Sequence, residues 1–329
     1  MGREKFGMRV CAFIDRETQS AHIPITFLQL AQKVIDEAKR PLSATEIWEI
    51  AQSKRYDTEL GTKGKTPWAT MGALLYVDVR DNSDSIFIAT GARPKRFVLR
   101  SLEDSLTLTD VIGPPLVTRK RVEYLEKDLH SYIAYYGFYY LKAYLKTIRH
   151  NKSDKKEYGE WVHPDLVGCS FLFDEWEDGV VEVSSLMGNS AVRLFSFELK
   201  RELSISNLRE AFFQAVSNSS WANEGYLVAA EVDNDEDFRI ELERLSTSFG
   251  IGVIRIDIED PDSTEIVMSA KSKVSVDWET VNKLAGINPD FRDFLKRIKT
   301  DISSREIRRE LYDRILEKDD LIRSIAKQK

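Results

Sequence analysis

Apolar residues in the first third of the chain recur at helical spacing in three successive segments, each behind a helix start signal. The three starts are the N-cap residue Thr26, the S-x-x-E capping box of Ser43 and Glu46, and the Thr66-Pro67 pair. After them the spacing changes to two short strands, at residues 85–89 and 97–99. Three helices followed by a β-hairpin is the element order of a winged helix-turn-helix domain, so the pattern predicts that fold.

The second half of the chain alternates between helical and strand patterns. A long helical pattern covers residues 121–149, where Gly137 either bends or divides the helix. The elements predicted after it are strands at 180–184 and 192–200 joined by a turn at Gly188-Asn189, a helix at 206–219, a strand at 225–231, a helix at 235–248 and a strand at 251–257. This order predicts an α/β domain.

Residues 277–329 combine alternating charge with apolar positions at helical spacing, which predicts two or three amphipathic helices. Such helices can cover the core, bridge two protomers or clamp DNA, and a structural role is favoured. Residues 103–119 contain Gly113-Pro114-Pro115 and break the periodicity, so they predict a linker. The predicted division is an N-terminal extension at 1–24, a helix-turn-helix domain at 25–102, the linker, an α/β core at 120–260 and a helical extension at 261–329.

Composition narrows the class of protein. The chain has 329 residues, 42% apolar and 31% charged, which is enough apolar content for packed cores. No stretch reaches the ~18 apolar residues needed to span a bilayer, and no secretory signal is evident. The two cysteines, Cys11 and Cys169, form neither a disulfide framework nor a CxxC pair, and the four histidines lack zinc-site spacing. We therefore expect a cytoplasmic protein, and one that does not use ATP because it lacks a Walker A motif.

Charge is distributed unevenly along a chain whose formal net charge is −6. From Leu60 to Arg100 there are seven Lys/Arg against three Asp/Glu, a net charge of +4. A locally basic end on an acidic protein is typical of a nucleic-acid-binding domain that is joined to a second domain. The predicted DNA contacts are Lys63, Lys65 and Thr66 at the start of the third helix, and Arg93, Lys95 and Arg96 at the hairpin tip. The alternative is a protein-binding winged helix with solvated basic loops.

Two segments of this region carry a family resemblance. They are "TFLQLAQKVIDEAKRPLSATEIWEIAQSKR" and "GKTPWATMGALLYVDVR", with a short step between the first two helices and a T-P start for the third. Residues 26–100 resemble a HARE-type helix-turn-helix domain, a family found on restriction enzymes and chromatin-associated proteins. The resemblance implies binding to double-stranded DNA, with modified bases as a candidate signal.

The strand at residues 192–200 contains the most informative pattern of the second half. Because strand side chains alternate, Glu198 and Lys200 share one face of this strand, opposite bulky apolar residues. Asp165 stands 33 residues before Glu198, at the start of another apolar strand. The three residues form a P-D…E-x-K pattern and resemble the PD-(D/E)xK nuclease superfamily, whose α/β core is restriction-endonuclease-like. The alternative is that Asp165 caps a turn while Glu198 and Lys200 form a surface pair.

The chemistry of these residue types suits a metal ion. The carboxylates of Asp165 and Glu198 and the backbone carbonyl of Leu199 are hard oxygen ligands for Mg²⁺, for which Mn²⁺ can substitute. The ion can polarise a phosphate and lower the pKa of a water molecule, while Lys200 orients that water or offsets charge. The resemblance therefore implies a metal-dependent deoxyribonuclease.

The resemblance also implies further residues near the metal-binding site. Glu126, in "VEYLEKDLHSYIAYYG", resembles the acid that the superfamily often carries on the preceding helix, with Glu123 and Asp128 as competitors. Gln214, in "NLREAFFQAVSNS", resembles a glutamine of the Mrr-like and Holliday-resolvase-like branches. For both residues, a solvated or merely polar helix position is the alternative. Further candidates, for phosphate contact or support of the site, are His150, Ser153, Lys155, Lys156 and His163.

Together these patterns predict a two-domain, Mg²⁺-dependent DNA endonuclease of the restriction or phage-defence type. A winged-helix reader would precede the nuclease core, and a double-strand break would most simply need a homodimer, because one core holds one strand-cleaving site. Two alternatives stay open, namely a non-enzymatic DNA-binding regulator and a repair or branched-DNA nuclease.

Overall fold

The computed structural model describes residues 24–60, 66–90, 95–105, 124–153 and 163–326. Its first part contains α1 (Phe27–Ala38), α2 (Ala44–Ser53), α3 (Pro67–Asp81), β1 (Phe87–Ala89) and β2 (Phe97–Leu99). The two strands pair as an antiparallel hairpin. The predicted order of three helices and a hairpin is therefore confirmed. The apolar faces of these elements meet in one buried cluster, which includes Leu30, Ile47, Met71 and Phe97.

Capping explains where the first two helices begin. Thr26 Oγ1 accepts a hydrogen bond from the Gln29 amide at 3.2 Å, and the Gln29 side chain accepts one from the Thr26 amide at 2.8 Å. Ser43 and Glu46 make the same reciprocal pair of bonds at the start of α2. Each capping box satisfies two backbone donors that a helix N-terminus otherwise leaves unpaired.

We expect Ser43→Ala to destabilise the N-terminal domain by about 1 kcal/mol, because the Glu46 amide loses its acceptor at the start of α2. Urea-dependent hydrogen exchange of the α2 amides in the full chain measures this local free energy. Ser303→Ala is the control, since the Ser303 hydroxyl is exposed and, among the described residues, bonds only the Lys299 carbonyl. Equal stabilities for the two variants would contradict the capping role.

The second part of the structure contains a six-stranded mixed sheet flanked by helices. Its elements in chain order are α4 (Leu129–Tyr139), β3 (Tyr144–Thr147), β4 (Leu166–Phe171), α5 (Leu172–Glu175), α6 (Asp178–Leu186), β5 (Val192–Leu203), α7 (Leu208–Ser219), β6 (Glu224–Val232), α8 (Glu236–Phe249), β7 (Gly252–Arg255), β8 (Glu265–Met268), α9 (Trp278–Ile287), α10 (Pro289–Ser304) and α11 (Lys318–Ala326). The order of the six strands across the sheet is the same as their order along the chain, from β3 to β8. β3, β4 and β5 pair antiparallel, β5, β6 and β7 pair parallel, and β8 pairs antiparallel with β7. The predicted α/β class is confirmed.

The long helix predicted at residues 121–149 is wrong in its second half, which contains β3. The helical part ends at Tyr139, and the chain reverses at Lys142, whose φ is 55°. A Cβ atom at Gly137 would lie 2.4 Å from Leu145 Cδ1, so the glycine lets β3 pack directly against α4. Gly137 therefore marks a close contact between a helix and a strand, and neither bends nor divides one helix.

The strand predicted at residues 180–184 is also wrong, because these residues lie in α6. Val181 and Ser184 are buried whereas Val180 and Val183 are exposed, which is helical spacing. Gly188-Asn189 consequently connects a helix to β5 and does not join two strands. The strand preference of valine depends on its packing context, so packing can override it, as it does here. The edge strand β8 was not predicted.

The sheet is covered on both faces. Tyr226 and Val228 of β6 face a cluster completed by α4 and α11, whereas Leu227 and Ala229 face a cluster completed by α7 and α8. A third cluster packs α9 and α10 against β3 and β4. The C-terminal residues thus supply three helices that pack on the core. Within the described ranges, no helix is both long and apolar enough to cross a membrane.

Candidate functional site

The candidate site lies where β5 extends past the start of β4. Asp165 precedes β4 directly, and its Oδ2 accepts a hydrogen bond of 2.7 Å from the Leu199 amide. The amide and carbonyl of one residue point to the same edge of an antiparallel strand. The Leu199 carbonyl therefore faces the same edge as Asp165. This arrangement places an acid from one strand beside Glu198 and Lys200 of the next.

Glu198 is a buried carboxylate, with 2% of its surface exposed. Lys200 Nζ donates to its Oε1 at 2.9 Å, and Asn218 Nδ2 donates to its Oε2 at 2.9 Å. Burial, and then repulsion from Asp165, raise the pKa of Glu198 to about 7, although Lys200 and Asn218 oppose the shift. The negative charge of Glu198 is thus incompletely compensated by the protein.

The two neighbours of Glu198 keep their charges. Burial raises the pKa of Asp165, but hydrogen bonds from His150 and from the Leu199 amide outweigh burial, and the pKa is lowered. Burial lowers the pKa of Lys200, but the attraction of Glu198 and Asp165 outweighs burial, and the pKa is raised. An ionised Asp165 and a protonated Lys200 therefore flank a glutamate that titrates near neutral pH.

Glu126 lies near this group, although it is not on a helix as predicted. It opens a short 3₁₀ turn, Glu126–Asp128, directly before α4. Partial desolvation raises the pKa of Glu126, Lys200 opposes the shift and Asp165 adds to it. The turn that carries Glu126 packs on β5, which places Glu126 at the margin of the site.

Asn218 bonds a predicted site residue directly, whereas Gln214 stays a prediction. Gln214 is half-buried on α7, and among the described residues it makes no hydrogen bond with Asp165, Glu198 or Lys200. Asn218 lies one turn later on the same helix and bonds Glu198 directly. Asn218 is absent from the predicted set, and its i,i+4 spacing from Gln214 was the available signal.

Two histidines stand beside Asp165. His150 Nε2 lies 3.0 Å from Asp165 Oδ1, and the His150 ring meets the His163 ring edge-on at 5.6 Å. His163 is buried, and burial together with the neighbouring His150 lowers its pKa to about 4. Ser153 instead bonds Asn288 at 2.8 Å. The predicted Lys155 and Lys156 lie outside the described residues.

The predicted DNA contacts have intramolecular partners where they are described. Thr66 is buried, donates to the Tyr139 carbonyl at 3.2 Å and accepts a bond from Lys142. The Lys95 amide donates to Ser263 Oγ at 3.2 Å, and Lys95 Nζ lies 3.9 Å from Glu265 Oε2. Arg96 Nη1 donates to Glu46 Oε2 at 2.6 Å. DNA contact through these three side chains stays a prediction, and it would require them to exchange partners. Lys63, Lys65 and Arg93 lie outside the described residues.

The donors available for a metal ion are few. In the part of the chain that the structure describes, no group of three or more His, Cys, Asp or Glu side chains is arranged to hold a metal. Asp165 and Glu198 together with the Leu199 carbonyl form a different kind of set, with two carboxylates and one backbone oxygen. This set has the hard oxygen chemistry that Mg²⁺ prefers, with remaining positions left to water and substrate.

Comparison with known families identifies the N-terminal domain. A family model named HARE-HTH, whose description includes "ASXL, restriction endonuclease HTH domain", matches residues 25–102. This match confirms the predicted winged helix-turn-helix and indicates DNA binding. It covers less than a quarter of the chain and does not extend to the sheet domain. Comparisons with curated proteins and with solved structures give no match.

Proposed function

We propose that the protein is a metal-dependent DNA endonuclease whose sheet domain is a restriction-endonuclease-like core. The observation that carries the proposal is the convergence of Asp165, Glu198 and Lys200 on one edge of β5, joined by the Leu199 carbonyl. The order of a helix, three antiparallel strands, a helix and a parallel strand supports it, because that order is expected for this class of nuclease core.

The residues present fit a divalent metal ion. Glu198 is buried and only partly neutralised, so a cation held by Asp165, Glu198 and the Leu199 carbonyl would complete its compensation. Bound there, Mg²⁺ or Mn²⁺ would polarise a phosphodiester and lower the pKa of a water molecule. Lys200 is protonated and would balance the charge of the phosphate or orient the attacking water. Asn218 holds Glu198 from the opposite side.

The HARE-HTH domain is the reason for proposing double-stranded DNA as the substrate. We assign the protein to restriction or phage defence, with modified bases as a candidate signal, because the matching family model names restriction endonucleases among its members. One site per chain implies that a homodimer makes double-strand breaks.

The test is cleavage of supercoiled plasmid and phage DNA, unmodified and cytosine-modified, by the full chain with Mg²⁺, with Mn²⁺ or with EDTA. Nicked or linear product only with metal is expected. Forked and four-way-junction substrates distinguish a repair nuclease. Tight DNA binding without metal-dependent cleavage of any substrate would overturn the proposal in favour of a regulator.

We expect metal binding to release a proton at mildly acidic pH. The pKa of Glu198 is about 7, so at pH 6 the metal-free carboxyl is mostly protonated and must ionise to bind a cation. Release should approach about one proton at pH 6 and fall towards zero at pH 8.5. Calorimetric titration with Mn²⁺ in buffers of different ionisation enthalpy measures this number. A release that does not change with pH, or that persists in Glu198→Gln, would contradict the assignment.

A further inference from the structure

The chain between β3 and β4 brings His150 to the carboxylate of Asp165. His150 starts a short 3₁₀ turn, His150–Lys152, and its Nε2 lies 3.0 Å from Asp165 Oδ1. An ionised carboxylate only accepts hydrogen bonds, so the imidazole is the donor. The Leu199 amide donates to the other oxygen, Oδ2. Both oxygens of Asp165 are therefore held, by donors from two different elements.

The two carboxylate oxygens still have lone pairs for a cation. Each oxygen offers about two acceptor positions, and the hydrogen bonds described use one on each. The effect of the two donors is to fix the plane of the carboxylate. A ligand with a fixed plane binds a metal more tightly than one that must first be ordered.

The residues on either side of His150 are held by the N-terminus of α10, which is far away in sequence. Asp290 accepts hydrogen bonds from the Arg149 amide at 3.2 Å, from Arg149 Nε at 2.9 Å and from Lys152 Nζ at 2.8 Å. Asn288 donates to the Arg149 carbonyl at 3.1 Å and to Ser153 Oγ at 2.8 Å. The residues on both sides of His150 are thus anchored to one helix end.

The anchoring residues are built into the core. Asn288 is fully buried and Asp290 is 6% exposed, and the same Asn288 side chain caps α10 by accepting from the Asp290 amide at 2.8 Å. The buried His163 ring packs edge-on against the His150 ring. An ordinary surface ion pair would not combine a buried acid, two cations and a backbone amide. The backbone that carries His150 is consequently anchored, and its imidazole, which is 45% exposed, bonds Asp165 from that anchored position.

We propose that His150 is a positioning residue that orients Asp165 for metal binding, and that the C-terminal helix α10 holds His150 in place through Asp290. This inference rests on the proposed function, because it takes Asp165 as a metal ligand. It assigns the C-terminal extension a role in the site in addition to covering the core.

The test measures Mn²⁺ affinity by calorimetry on the full chain, without a substrate. His150→Ala should weaken binding by roughly 10- to 100-fold, the range typical for loss of a hydrogen-bond partner of a metal ligand. His150→Gln should restore most of the affinity, because the glutamine amide can place a donor near the position of Nε2. Asp290→Asn should weaken binding in the same direction, whereas Asp293→Asn, on an exposed residue of the same helix, should not.

The outcomes test the role of His150, the role of α10 and the proposed function separately. Mn²⁺ binding that is lost in Glu198→Gln but unchanged in His150→Ala would overturn the role of His150 and leave the proposed function standing. Equal weakening in His150→Ala and His150→Gln would show that ring packing matters and not the hydrogen bond. An unchanged Asp290→Asn protein would remove α10 from the mechanism. Wild-type protein without Glu198-dependent Mn²⁺ binding would overturn the proposed function and this inference together.

Discussion

Glu198→Gln is expected to lower metal-dependent DNA cleavage by on the order of 10³-fold, since the charge stabilisation that a bound metal provides amounts to several kcal/mol. The amide keeps the shape of the side chain and can still accept from Asn218, but it lacks the negative charge that holds a cation. Nicking of supercoiled plasmid under single-turnover conditions measures the change. Glu202→Gln is the matched control, because it removes the same charge from an exposed position on the same strand. Full cleavage activity in Glu198→Gln would contradict the assigned role.

The same variant should fold at least as stably as the wild type at pH 8. The pKa of Glu198 rises from 4.5 to about 7 on folding, so between these pH values the folded chain binds more protons than the unfolded chain. Stability therefore falls as the pH rises through this window. Glutamine carries no charge, so the destabilisation by ionised Glu198 is absent. Thermal unfolding at pH 5 and pH 8 should show the advantage of Glu198→Gln growing with pH, and a lower melting temperature at pH 8 would contradict this account.

Asp301→Ala is expected to destabilise the sheet domain by about 3–5 kcal/mol, because it leaves a buried guanidinium without its counter-ion. Asp301 is fully buried on α10, and its Oδ1 lies 2.5 Å from Arg297 Nη2. Its Oδ2 accepts from Tyr312 Oη at 2.8 Å. Arg297 Nε lacks a hydrogen-bond partner among the described residues, and Asp301 is the acid that pairs with this guanidinium there. Urea denaturation of the full chain measures the loss.

Two further variants separate charge from packing at this position. Asp293→Ala removes an exposed acid from the same helix and should change the free energy of unfolding by less than about 0.5 kcal/mol. The double variant Arg297→Met with Asp301→Leu removes both charges and should recover most of the stability, since apolar residues often replace buried ion pairs without loss. A double variant as unstable as Asp301→Ala would show that packing, and not the unpaired charge, causes the loss.

Local patterns predicted much of the fold. The N-cap residue Thr26 and the capping box at Ser43 placed two helix starts correctly, and strand alternation put Glu198 and Lys200 on one face. Both kinds of signal depend on residues within four positions of each other, so they are visible in the sequence. Residues 180–184 include three valines, and from them the same local reasoning predicted a strand where the structure contains α6.

The composition of the site depended on contacts that no local pattern contains. Asn218 bonds Glu198, whereas the sequence pointed to Gln214 one turn earlier, because the packing of α7 on the sheet decides which turn faces the strand. Asp290 reaches Arg149 across 141 positions, and Lys95 meets Ser263 across 168.

The sequence by itself determined the helix-turn-helix order, the α/β class and the residue types of the P-D…E-x-K pattern, since periodicity and capping are properties of neighbouring residues. Only the tertiary structure decided that Asp165 meets the Leu199 amide and that α10 fixes His150 beside it. The physical reason is that the order of strands in a sheet and the packing of helices on it bring together residues whose separation along the chain carries no signal of their contact.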